Sequence, residues 1–174
     1  MALERLARNL TALALLGGLA AIAAAWGFQL IGGYVPCKLC LEQRVPYYVG
    51  LPLAALALIL IVQKRVGPAL LVLLGVTAVF AYGSGLGIYQ AGAEWAFWAG
   101  PSDCGGGSAA PSSAANMLQA LQSTRVVSCT EASWRLFGLS FAGWNAVASG
   151  GVAVFALISA FLLNRGRNED TVSA

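Results

Sequence analysis

Four stretches of this chain are each about twenty residues long and nearly free of charge, and they fix the solvent the protein must live in. They cover about residues 10–31, 45–62, 69–89 and 141–163. The hydrocarbon core of a bilayer takes about 20 apolar residues per helix. Inside it every backbone polar group needs a partner within the protein, which favours helices for such segments. Composition agrees: of 174 residues, 59% are hydrophobic and 10% charged, and the mean hydropathy is +0.75. Soluble domains carry about a quarter charged residues, and a soluble fold of this size leaves too much surface exposed to hide the excess. The expected fold is an all-α membrane protein, a four-transmembrane-helix bundle forming a single membrane domain over residues 1–174. Its outer loops are expected at about 32–44 and 90–140, with a short interfacial helix in the second. Ala23-Ala24-Ala25 would offer a signal-peptide cleavage site. The length of that first run and its weakly basic start favour an uncleaved anchor.

Charge orients the bundle. Basic residues in short loops and tails mark the cytoplasmic side, whereas long loops cross largely regardless of charge. Arg5 and Arg8 precede the first run, Lys64 and Arg65 separate the second from the third, and Arg165 and Arg167 follow the fourth. With four spans these clusters share one side, so both termini are expected in the cytoplasm. Lys38, Arg44, Arg125 and Arg135 are spread over the longer loops opposite. The net charge of +3 then belongs to topology and gives no reason to expect nucleic acid as a partner. All four cysteines, Cys37, Cys40, Cys104 and Cys129, fall outside. In an oxidising compartment, which in a bacterium is the periplasm, four thiols are expected to pair as two disulfides.

The second outer loop has distinct parts. Tyr89, Trp95, Phe97 and Trp98 cluster after the third run; such rings favour the headgroup level, and a wall for a flat ring ligand is the other use for them. Glycines on either side of Cys104 give its backbone wide freedom, which suits a cysteine that exchanges partners. Residues 111–124 read as a short helix with Ser112 or Ser113 as N-cap. Its apolar face of Ala114, Met117, Leu118 and Leu121 rests on the membrane surface or on the loop. Trp134, Phe137, Phe141 and Trp144 are placed to anchor the fourth helix at the interface. Glu131 and Arg135 have the spacing of an i,i+4 helical pair.

The stretch "PCKLCLEQR", residues 36–44, carries the chemistry. A structural zinc site takes about four nitrogen or sulfur ligands. The chain has no histidine, and Cys104 and Cys129 are separated by twenty-four residues rather than standing in a second CxxC. A staple between Cys37 and Cys40 would close a very short loop, where such bridges stabilise least. A redox couple fits better, because CxxC spacing commonly lowers one thiol's pKa. Cys40 precedes the second apolar run, where a helix N-terminus would favour a thiolate. Arg44 would share its face on a continuing helix, although Pro46 disfavours helix at Val45 and could break that turn. No dinucleotide, haem or iron–sulfur motif is present to take electrons. The lipid phase offers a membrane quinone, whose developing charge Arg44 would stabilise.

"CKLCLEQR", four spans, a two-cysteine second outer loop and "CTEASWRLFGL" together resemble the bacterial disulfide bond formation protein B (DsbB) family over nearly the whole chain. The resemblance implies an inner-membrane, quinone-dependent protein-disulfide oxidoreductase that sustains disulfide bond formation. It would reoxidise a periplasmic DsbA-like thioredoxin-fold oxidase and pass the electrons to ubiquinone or menaquinone. It implies resting pairs Cys37–Cys40 and Cys104–Cys129, with Cys104 attacked by the oxidase's thiolate and Cys129 exchanging with Cys37. Cys40 would then engage the quinone beside Arg44. Some family members have a histidine near the quinone after the third helix; this chain has none, and Glu94 lies in that neighbourhood.

The rival function is a small polytopic metal-handling protein with cysteine ligands. Transporters place polar groups within the membrane, and here the runs offer little beyond Thr11, Thr77, Ser84, Asn145, Ser149 and Ser159.

Overall fold

The computed structural model describes residues 2–100 and 130–172. Cys104, Cys129 and the helix expected over residues 111–124 lie outside the described residues. The elements in chain order are α1 (Ala2–Leu30), α2 (Lys38–Glu42), α3 (Val45–Val62), α4 (Val66–Glu94), β1 (Arg135–Leu136), β2 (Leu139–Ser140) and α5 (Phe141–Val172). Among the described residues, four helical segments are long and apolar enough to cross a membrane: α1, α2 with α3, α4, and α5.

Their packing follows from small residues. Lipid tails are as apolar as leucine, so helices associate in a membrane by close packing and hydrogen bonds. Alanines sit at many of the contacts: Ala7 and Ala14 on α1, Ala54 and Ala57 on α3, Ala69 on α4, Ala156 and Ala160 on α5, all buried. Between them lie Leu73, Val76 and Phe80 of α4 and Leu163 of α5, also buried. Each helix packs on two neighbours, α1 on α3 and α5, α4 on α3 and α5, which closes a four-membered ring. At Gly87 a Cβ would stand 2.8 Å from the carbonyl oxygen of Ala142, so α4 and α5 touch there backbone to backbone. Leu13, Leu16, Ile59, Leu71 and Phe161 point outward and are exposed, as lipid-facing residues are.

Three boundaries differ from the apolar runs, for one reason: hydropathy marks the hydrocarbon thickness, while the helices continue past it. The first helix begins at Ala2 rather than near residue 10, the third spans Val66–Glu94 rather than about 69–89, and the last extends beyond residue 163 to Val172. The extra turns of α1 and α5 carry charge, including Glu4, Arg5, Arg8, Arg165 and Arg167. The added turn of α4 has the larger consequence, because it puts Gln90 and Glu94 on a packed helix instead of in a loop.

Before α5 the chain makes a two-residue hairpin. Arg135 pairs with Ser140 and Leu136 with Leu139, antiparallel. Phe137 and Gly138 form its turn with φ of 51° and 84°, the signs that a hairpin turn matched to strand twist requires. Glu131 and Arg135 therefore are not a helical pair, since residues 130–134 are non-helical and Arg135 belongs to β1. Arg135 instead donates to the carbonyl oxygen of Glu94 at 3.4 Å.

Candidate functional site

Cys37 has extended backbone (φ −75°, ψ 171°) and caps α2, its Sγ accepting from the N–H of Cys40 at 3.3 Å. The helix that follows is five residues long. A turn at Gln43 and Arg44 ends it, and α3 starts at Val45 with Pro46 in its first turn. Proline suits that place, because a first-turn N–H has no helical partner to lose. Two expectations change here. Cys37, not Cys40, stands at a helix N-terminus, and Cys40 lies inside α2 instead of leading into the long helix. Arg44 is not on a helical face shared with Cys40, because the turn swings it toward α1.

The two sulfurs lie 3.0 Å apart, with the Cys37 thiol donating to Cys40 Sγ. Cys37 is buried and Cys40 half-buried. The bond Cys37 donates, together with burial, pushes its thiol well above the ordinary thiol range. Cys40 Sγ is thus the acceptor of the pair, positioned to carry negative charge. Gln90 reaches across from α4 and sets Nε2 3.5 Å from each sulfur.

Arg44 is 8% exposed. Its Nη1 donates to Gln29 Oε1 at 2.6 Å and its Nη2 to the Ala25 carbonyl oxygen at 3.4 Å. Its guanidinium lies 5.1 Å from the centroid of the Trp26 ring, within range of a cation–π contact. α1 therefore fixes the cation. Glu94 accepts from Gln90 Nε2 at Oε1, 3.4 Å away. Its Oε2 is buried with no hydrogen-bond partner among the described residues.

These groups share one cavity of about 440 Å³, lined by both cysteines, Gln29, Gln43, Arg44, Gln90, Glu94 and Asn145. The opposing wall is aromatic. Trp134 and Phe141 stack with centroids 4.9 Å apart and planes 22° from parallel. Phe28 meets Phe141 at 4.9 Å, and Tyr34 meets it at 5.5 Å. A mostly apolar chamber with a few convergent polar groups is what a small-molecule site looks like, and this one has flat walls and a thiol pair at its edge. The rings are not the ones proposed for that use. Tyr89, Trp95, Phe97 and Trp98 do not line the cavity; Tyr89 stacks on Trp98 at 6.2 Å, and Trp98 covers Gly92. Phe137, offered as an anchor, is 89% exposed at the hairpin tip, while Trp134 and Phe141 turn inward.

Sequence reasoning brought Cys37, Cys40, Arg44 and Glu94 forward, and the structure gathers all four at one chamber. It missed Gln29, Gln43, Tyr47 and Gln90, and counted Asn145 merely as a polar residue in a span. A signal existed for Gln90: four residues before Glu94 on a helical continuation, it had to share that residue's face. Among the described residues, no group of three or more histidine, cysteine or acidic side chains is placed to hold a metal ion.

The family model of disulfide bond formation protein DsbB matches residues 7–159. No curated protein and no solved structure matches the chain.

Proposed function

The chain belongs to the DsbB family, and from that premise we infer a thiol oxidase that draws electrons from a periplasmic DsbA-like dithiol and delivers them to a membrane quinone. Membership makes it a disulfide oxidoreductase that crosses the bacterial inner membrane with four helices. The observation that carries the finer reading is the dithiol at the edge of an aromatic-walled cavity that a fixed guanidinium also lines.

The residues fit a quinone. Phe28, Tyr34, Trp134 and Phe141 offer faces and edges to a flat ring, and Gln29, Gln43 and Arg44 offer donors to its oxygens. When bound, ubiquinone or menaquinone supplies a two-electron, two-proton acceptor. Arg44 keeps positive charge at the cavity wall whatever the redox state, which favours negative charge developing inside. The largely aromatic and aliphatic lining of the cavity lowers the local dielectric and strengthens that effect.

Electrons reach the pair by exchange. A thiolate of the partner attacks Cys104, forming a mixed disulfide and releasing Cys129 as the leaving thiolate. The partner's second thiol resolves the mixed disulfide, completing its own oxidation. Cys129 attacks Cys37, breaking the Cys37–Cys40 bond and releasing Cys40 as a thiolate. Cys104 then closes on Cys129, which frees Cys37 to take a proton. The net result is one disulfide made in the partner and two electrons held by Cys37 and Cys40. Re-forming their disulfide would give up two electrons and the Cys37 proton, and the second proton that a fully reduced quinone carries would come from solvent. Exchange of this kind depends on the leaving thiol's acidity, and Cys40, which lies within reach of the Gln90 N–H, is built to leave.

The test uses the purified full chain in detergent with a reduced thioredoxin-fold dithiol and soluble ubiquinone and menaquinone analogues. Quinone reduction is expected to match dithiol oxidation one to one; no turnover with either analogue would sink the reading. Cys104→Ser is expected to abolish reaction with the dithiol while the Cys37–Cys40 disulfide still forms. Full turnover in that variant would remove Cys104 from the path.

A further inference from the structure

Five side chains form a line from the middle of the bundle to the two sulfurs. Ser149 of α5 and Tyr47 of α3 share a hydrogen bond of 3.0 Å. Tyr47 Oη donates to Asn145 Oδ1 at 2.8 Å, and Asn145 Nδ2 to Gln43 Oε1 at 2.7 Å. Gln43 Nε2 donates to Gln90 Oε1 at 2.6 Å, and Gln90 Nε2 faces Cys37 and Cys40. Gln43, Tyr47, Gln90 and Ser149 are all buried.

A line of primary amides has a direction. Each uses its oxygen toward one neighbour and its nitrogen toward the other, so turning one over turns them all. Two orientations satisfy the chain, one ending in N–H groups at the sulfurs and the other in a carbonyl oxygen. Glu94 separates them. Gln90 Nε2 donates to Glu94 Oε1 at 3.4 Å, and a reversed amide would set its carbonyl oxygen against that acceptor oxygen instead. Tyr47 then gives its single proton to Asn145, and Ser149 donates to Tyr47.

We propose that this oriented line makes Gln90 a catalytic hydrogen-bond donor to the Cys37–Cys40 pair, with Gln43, Asn145 and Tyr47 as positioning residues that keep its N–H groups on the sulfurs. The proposal rests on the reading of Cys37 and Cys40 as the redox pair. Reduction breaks their S–S bond with two electrons; the Cys37 sulfur takes one proton, and Cys40 keeps negative charge. That sulfur accepts from the Cys37 thiol and from Gln90. Hydrogen bonds gain strength in a low dielectric, and a chain of them polarises cooperatively. Stabilising the reduced form makes the disulfide a stronger oxidant, which favours uptake of electrons from the outer cysteine pair.

The charged groups around the pair are Lys38 and Glu42 on α2, Arg44 in the following turn, Glu94 on α4, and Glu131 and Arg135 before α5. Substitutions along the amide line leave each of them in place. The experiment uses the full chain with Cys104→Ser and Cys129→Ser, reduced, in detergent, with neither quinone nor dithiol partner added. Iodoacetamide alkylation is followed from about pH 5 to 9, a range that brackets ordinary thiol titration, and mass spectrometry assigns the modified sulfur. Cys40 is expected to react first. Gln90→Leu should slow its alkylation at neutral pH by about tenfold, the scale of one lost hydrogen bond to a charged group, and move the profile to higher pH. Tyr47→Phe keeps the ring that meets Phe80 at 5.3 Å and should shift the profile the same way by less. A glutathione titration should give both variants a more negative midpoint potential.

An unmoved profile and potential in folded Gln90→Leu would overturn the donor role. An unmoved Tyr47→Phe would overturn the positioning line, and it serves as the test of record if Gln90→Leu does not fold. Cys37 reacting before Cys40 in the unaltered line would also overturn the proposal. Because neither quinone nor partner enters the assay, loss of quinone turnover would remove the functional reading while leaving this result to stand or fall separately.

Discussion

Arg44 shows how one side chain is set by a neighbouring element rather than by its own. The turn that ends α2 points it at α1, where Gln29 and the Ala25 carbonyl oxygen take two of its nitrogens and Trp26 takes the guanidinium face. That clamp holds a buried cation at the cavity with no carboxylate partner among the described residues, so its charge stays available to an anion. Arg44→Ala is expected to raise the KM for quinone by about tenfold, the scale of a charge-assisted hydrogen bond, and to leave the KM for the dithiol unchanged. Arg44→Lys should recover little, because lysine offers a point charge in place of a fork that meets Gln29 and Ala25 together. A variant that raised the dithiol KM instead would place Arg44 on the partner path. Cys37 gives a second outcome at this scale. Its thiol is pushed up chiefly by the bond it donates to Cys40 and then by burial, so it stays neutral at pH values where an ordinary cysteine has begun to ionise. Cys40→Ala removes the first cause, and the folded pKa should fall toward the ordinary range. Cys37 alkylation near about pH 9, just above the ordinary cysteine value, is then expected to be faster in Cys40→Ala than in the reduced native pair.

At the scale of elements, the approach of α4 to α5 decides where Gln90 and Asn145 meet Gln43. A Cβ on Gly87 would meet the Ala142 carbonyl oxygen and the Ala146 nitrogen at 2.8 Å, both backbone atoms that cannot swing away. Two residues earlier on the same helix, Gly85 faces open space. Gly87→Ala should destabilise the bundle by about 1–3 kcal/mol, as overpacking does, while Gly85→Ala should be neutral or add up to about 1 kcal/mol from helix propensity. Thermal unfolding in detergent separates the two, and equal melting temperatures would contradict a backbone contact at Gly87. Elements also mark how far the sequence could be read. The four spans were legible because apolar length is a direct imprint of the bilayer, and Cys37, Cys40 and Arg44 because they crowd into eight residues. The break after α2 was half legible: Pro46 signalled it, but not that the chain would turn at Gln43 and Arg44 and start afresh. Hydropathy places Gln90 in a loop because polarity ends the apolar run, whereas α4 continues one more turn. Its use depends on contacts to residues about fifty positions away in sequence, and Asn145 meets Gln43 across a still longer separation. No local pattern carries such distances; they follow only from the ring order of the helices.

At the scale of the whole molecule, the bundle has two unlike ends. Glu4 near the start of α1 reaches Lys64 in the α3–α4 turn at 3.4 Å. Gly166 near the end of α5 sits against Leu3, where a Cβ would be 3.9 Å from the Leu3 Cβ. Arg5, Arg8, Lys64, Arg65, Arg165 and Arg167 therefore belong to one end, as four spans require. Cys37, Cys40 and the aromatic wall of Trp134 and Phe141 occupy the other. Basic residues in short loops and tails favour the cytoplasm, which predicts that the cysteine end faces the periplasm, on the side where an oxidising partner would be found. The exposed surface pair of Lys64 and Glu4 contributes little to stability, so the turn tolerates a probe. In a background with all four cysteines replaced by alanine, Lys64→Cys is expected to resist a membrane-impermeant maleimide in intact spheroplasts and to react in inverted vesicles. A cysteine at exposed Phe137 on the hairpin tip, made as Phe137→Cys, should show the reverse pattern. If both positions labelled from the same side, the four-span topology would fail. If each labelled from the side opposite to that expected, the bundle would stand but its dithiol would face a reducing cytoplasm, and the oxidase reading would go with it.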